Sequence, residues 1–89
     1  MTKKSEPFNE AFIQLVIGLQ STAWIALGKV ENPRTKKVEK NLPLARESID
    51  TLLMLKEKSK GNLNETEKGI LEQPLQQLEL NYIEESKNI

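Results

Sequence analysis

The chain has 89 residues, thirteen basic and thirteen acidic, with no cysteine and no histidine. That length allows one small domain, and the balanced charge leaves no net field to draw in nucleic acid or an anionic membrane. Without thiols or imidazoles there is no disulfide framework, no thiolate or histidine metal site, and no general base tuned near neutrality, so neither an enzyme nor a cofactor or metal protein is expected.

Residues 1–7 read as a flexible N-terminus. The start "MTKK" followed by "FIQLVIGL" has the outline of a secretory signal. Glu6, Asn9 and Glu10 separate the basic start from the apolar run, and Gln14 interrupts it, so a cleaved signal is not expected. No stretch reaches the ~18 uninterrupted apolar residues of a membrane span, and a cytoplasmic protein is the expectation.

Residues 8–28 carry the period of a first helix. Ser5 and Pro7 suit its entry and Gly28 its exit. Phe8, Phe12, Leu15, Val16, Leu19, Ala23, Ala26 and Leu27 recur at three- and four-residue spacing and form the expected core face. Ile13, Ile17 and Trp24 form a second ridge on the far side, and Glu10 is the only charge between Phe8 and Gly28. A helix with two apolar faces belongs between a core and a partner, so these three residues are the candidate interface.

Residues 29–41, "KVENPRTKKVEKN", lack an apolar period and form a long connection expected to be mobile. Asn32-Pro33 marks a turn within it. Lys29, Arg34, Lys36, Lys37 and Lys40 outnumber Glu31 and Glu39 there.

The second helix is predicted over 42–60, with Asn41 as N-cap and Pro43 in the first turn. Its stripe is Leu44, Ala45, Ile49, Leu52 and Leu55, with Leu42 and Leu53 at the edge; Arg46 and Asp50 pair across one outer turn.

The stretch "KSKGNLNETE" raises the question of a phosphate cradle. Its charges also have structural tasks. Lys56, Lys58 and Lys60 suit the negative end of the second helix, and Gly61 suits a C-terminal cap. Asn64 and Glu67 have the spacing of a capping box, with Glu65 beside them at the positive end of a third helix. Lys60, Gly61, Asn64 and Glu67 are therefore assigned to a structural junction. The third helix runs from about 65 to 85 with the stripe Ile70, Leu71, Leu75, Leu78 and Tyr82. Pro74 lies inside it, which costs about 3 kcal/mol unless the freed carbonyl of Ile70 is compensated. Residues 86–89 are expected to fray. The fold class is all-α: one three-helix domain over 8–85, with helices two and three as an antiparallel hairpin and the long loop 29–41 between helices one and two.

Most of the chain resembles an uncharacterised bacterial family, domain of unknown function 1844. The resemblance is carried by Ile49-Asp50, Met54-Leu55 and above all Lys58-Ser59-Lys60-Gly61-Asn62-Leu63, with "FIQLV", "AWIALGK" and "NPRT" in the front half. Ser59 stands where the family usually has threonine, Pro74 where leucine is usual, and Glu79 where arginine is common. The resemblance implies a small bacterial cytoplasmic protein and carries no established activity.

The leading functional reading is an interaction protein that self-associates as a homodimer or higher even-numbered assembly, or docks on an unknown protein partner. Nucleic-acid or anionic-ligand binding through the basic 29–40 loop is the alternative, disfavoured by zero net charge and the lack of an aromatic stacking platform. Carboxylates are plentiful, but none of the spacings places two on an apolar face where burial would tune them for catalysis.

Overall fold

The structure, a computed structural model, describes residues 9–87. Ser5, Pro7, Phe8 and the assignments made for 1–7 and for 88–89 lie outside the described residues. Three helices form: α1 (Glu10–Ala26), α2 (Leu42–Lys58) and α3 (Glu65–Lys87). Each packs on the other two, in an up-down-up order, so α2 and α3 make the antiparallel hairpin and α1 runs alongside α3 in the same sense. The shared core takes Val16, Ala23 and Ala26 from α1 with Leu27 from its C-cap, Ala45, Ile49 and Leu52 from α2, and Leu71, Leu75 and Leu78 from α3, all at most 2% exposed. Each large aliphatic side chain so covered contributes about 1.5–3 kcal/mol.

Local chemistry sets the helix ends. Asn9, in an extended conformation, accepts from the Phe12 amide and starts α1. This cap is where the described helix begins. At the other end the Gly28 amide donates to Ile25 and the Lys29 amide to Trp24, with Gly28 at φ +78. That pair of bonds is a Schellman termination, which needs the left-handed residue that glycine supplies. Asn41 caps α2 through the Leu44 amide, and α2 ends at Lys58 with Ser59 as its cap. Gly61 is therefore not the cap itself. It occupies the third position of a turn closed by the Asn62 amide on the Ser59 carbonyl, at φ +85. α3 continues to Lys87, past the predicted end at 85.

The core face of α1 is the expected one at Val16, Ala23, Ala26 and Leu27, all buried, and departs from it at three positions. Ile13 is buried at 7% exposure and Gln20 at 8%, while Leu15 is 51% exposed. Phe12 and Leu19 are half-buried against the core. On α2, Leu42 is buried and Leu44 exposed, the reverse of the predicted order. α1 carries Gln14, Gly18, Ser21 and Thr22 on its exposed side and one polar contact on its inward side.

That contact is Gln20. Pro74 has no amide hydrogen, so the Ile70 carbonyl four residues earlier loses its helical partner. The Gln20 side chain of α1 donates to that carbonyl at 2.9 Å. α3 passes through Pro74 as one helix, with the orphaned acceptor satisfied from outside. Ile13, two turns before Gln20 on the same side of α1, is inward with it, and Leu15 is outward.

The 27–41 connection has a defined path. Leu27 pairs with Lys40 in an antiparallel bridge, and the Asn41 amide donates to the Ala26 carbonyl at 2.7 Å. Further out, Asn32 pairs with Lys37, and the Asn32 side chain accepts from the Arg34 amide at 2.8 Å. Lys36 adopts φ +61 at the tip. The expected mobile loop is thus a narrow arm. Sequence periodicity did not show it because backbone groups, not an apolar stripe, hold it.

Candidate functional site

Three places have enough chemistry or exposed apolar surface to be considered: the α2–α3 junction, the arm, and the outer surfaces of α1 and α3.

At the junction the capping box forms in both directions. The Glu67 amide donates to the Asn64 side chain at 2.8 Å, and the Asn64 amide donates to the Glu67 carboxylate at 3.0 Å. The other Glu67 oxygen accepts the Asn9 amide at 2.6 Å. One buried carboxylate therefore serves the starts of both α1 and α3. The spacing Asn-x-x-Glu announces the first bond; only the tertiary approach of α1 supplies the second. An open pocket of about 370 Å³ lies beside the turn. Its walls include Lys56, Lys60 and Lys68 together with Glu57, Glu65 and Glu72. Opposite charges alternate around it, and the start of α3 is occupied by the chain's own caps, so the pocket offers no preference for an anion.

The arm meets α3 through Glu85. Its carboxylate, nearly buried, lies 2.8 Å from the Lys29 ammonium and 2.6 Å from that of Lys40. Hydrogen bonds from Lys29, then Lys40, pull its pKa down to about 2, outweighing the opposing effect of desolvation. Glu85 is thus held as a carboxylate and is unsuited to giving up a proton near neutrality. Two of the five arm cations are engaged at the base. Arg34, Lys36 and Lys37 at the tip are exposed and have no ion pair among the described residues. Val30 and Val38 are exposed as well.

Glu67 and Glu85 correct the expectation that no two carboxylates would share an apolar face. Both lie on the inward side of α3, near its two ends. They are tolerated there because each is supplied with donors, backbone amides for one and ammonium groups for the other. They are too far apart along the helix to act on one substrate.

The residues of the predicted α1 ridge separate. Ile13 is in the interior, covered by this chain, so it is not available to a partner. Trp24 is half-buried against the core, and Ile17 is 48% exposed. Ile17 lines an open groove of about 500 Å³ between α1 and α3, with Gln20, Ile70, Gln73 and Pro74, and with the exposed carboxylate of Glu65 at the α3 start. Every exposed residue of α1 from Ala11 to Thr22 is uncharged. The same holds on α3 from Gln73 to Ile83, where Gln73, Gln76, Gln77, Leu80 and Ile83 are exposed. α2 differs: Glu47, Asp50, Lys56, Glu57 and Lys58 are all exposed. Arg46 donates to Asp50 across that surface and stacks over the Tyr82 ring at 5.1 Å.

Among the described residues no helix is long and apolar enough to cross a membrane. The chain has no match among curated proteins or among solved structures. Residues 9–84 match the family model described as Domain of unknown function (DUF1844). The match takes in all of α1, the arm, α2 and all but the last turn of α3, and the chain belongs to that family.

Proposed function

We propose that this protein is a small helical interaction protein that works by self-association rather than by catalysis. The reading is carried by the exposed surface of α1. Charged residues make up 29% of the chain, yet none lies among the exposed positions from Ala11 to Thr22, while Leu15 and Ile17 are about half exposed. A solvated helix surface of that length ordinarily carries several charges. Apolar surface without charge is what a partner covers. Of the ridge Ile13, Ile17 and Trp24, Ile17 has the exposure to contribute directly, and Trp24, half-buried two turns along the helix, contributes its uncovered part. Light scattering over a range of micromolar concentrations tests the reading. The wild type is expected to dimerise and Ile17→Glu to dimerise less, since a buried glutamate without a partner is costly. A wild type that stays monomeric throughout overturns it.

A second reading rests on the arm. Arg34, Lys36 and Lys37 are all exposed at its tip while Glu85 holds its base, and accessible cations suit a phosphate-bearing ligand. Binding of a generic nucleic acid that falls with added salt, and falls further in a Lys36→Ala/Lys37→Ala double variant, is the expected outcome. Salt-independent or absent binding removes this reading.

A further inference from the structure

The uncharged exposed surface continues from α1 across the groove onto α3, and we infer that this two-helix face, centred on the Ile17–Pro74 groove, is the surface through which a second copy of the chain binds. The inference rests on the self-association reading and extends it to α3, which carried no expected interface.

Two features favour a second copy over another occupant. The first is charge. Seven exposed positions on α1 and five on α3 carry none, and Ile17 and Gln73, one from each set, line the same groove. Glu65, at the α3 start, is the one charged residue among those lining the groove, so a highly charged partner seated over the rest of the face would be desolvated with little counter-charge to meet it. The second is the chemistry of the polar groups that remain. Gln14 on α1 and Gln73, Gln76 and Gln77 on α3 are exposed amides, each both donor and acceptor. Two copies of one amide-bearing face satisfy each other about a two-fold axis, because the patch is its own complement. A net charge of zero adds no long-range repulsion between copies.

The groove suits such an approach. Its floor is braced where Gln20 binds the Ile70 carbonyl beside Pro74, so α1 and α3 present their outer sides as one unit. Leu80 and Ile83, 61% and 52% exposed, extend the apolar part along α3. A standard interface takes about 20–30 residues from each side. The twelve positions here fall well short of that, which places the dimer in the concentration-dependent, micromolar class rather than the obligate one.

The test uses the whole chain. Sedimentation or light scattering is run on the wild type, on Gln73→Glu and Leu80→Glu in α3, and on Met54→Glu, an exposed α2 position, as control. Unchanged far-ultraviolet circular dichroism and melting of the exposed-site variants show that they fold. The α3 variants are expected to weaken dimerisation by about tenfold or more, as a charge is buried unpaired. Met54→Glu is expected to leave it within about twofold, the scale of a surface change away from the contact. If the wild type dimerises and Ile17→Glu weakens it while both α3 variants match the wild type, the two-helix face is wrong and self-association through α1 stands. If Met54→Glu has the larger effect, the inference also fails. A monomeric wild type overturns both.

Discussion

Glu67 and Glu85 lie on the same side of α3, eighteen residues or five helical turns apart, and both are buried carboxylates. They are stabilised in different ways. Among the described residues Glu67 accepts from backbone amides, one at its own helix start and one at the start of α1. Glu85 accepts from ammonium groups, one on each side of the arm. The first end of the domain is closed by backbone amides donating to one carboxylate. The second is closed by an ionic cluster. A buried acid can thus be a rigid clasp or an electrostatic one, and the two respond to different perturbations.

The largest effect is expected at the amide-bound end. Glu67→Ala removes the capping box and leaves the Asn9 amide without its acceptor, for a loss of about 3 kcal/mol in chemical unfolding. A loss under about 1 kcal/mol would mean that water replaces the carboxylate freely and that the clasp is not rigid.

Next is the bond between α1 and α3 that lies between the two carboxylates. Gln20→Leu should cost about 2 kcal/mol, because the Ile70 carbonyl is then buried with neither a helical nor a side-chain donor. In a Pro74→Ala background residue 74 regains its amide hydrogen, and the same Gln20 substitution should cost clearly less. A double-mutant cycle measures that coupling. Additive losses would show that Gln20 contributes by packing alone.

Smaller changes are expected at the turn that leads into Glu67. Gly61→Ala places a Cβ in a left-handed conformation and should cost about 1 kcal/mol. No neighbouring atom lies within 4 Å of that Cβ, so the cost is conformational and should not alter packing elsewhere. Wild-type stability for Gly61→Ala would show that the turn relaxes without glycine.

At the ionic end the signature is a pH dependence. The pKa of Glu85 is lowered from 4.5 to about 2 in the folded chain. A depressed carboxylate pKa contributes stability that is complete above the unfolded value and is lost as pH falls through the folded one. The Glu85 contribution should therefore be full above about pH 5 and should fade between about 4.5 and 2. Comparing the denaturation midpoints of wild type and Glu85→Gln across that range isolates it. Parallel profiles would show that Glu85 is no more stabilised as a carboxylate in the folded chain than in the unfolded one.

Much of the architecture was legible residue by residue. Three helices follow from three apolar periods. Asn41 and the Asn64–Glu67 pair mark starts through bonds that close within three residues, and Arg46 finds Asp50 one turn away. All of these are local contacts whose partners are set by chain spacing. What the sequence did not disclose depends on separation. Gln20 meets Ile70 across fifty residues, Asn9 meets Glu67 across fifty-eight, and Glu85 meets two lysines of a distant arm. The inward direction of α1 belongs with these. Its large apolar residues Ile13, Leu15 and Ile17 are spread around the helix, so spacing alone leaves open which of them the core covers. The tertiary packing that brings the Gln20 amide to the carbonyl Pro74 frees hides Ile13 and leaves Ile17 exposed, and so decides which part of the predicted ridge is left for a partner.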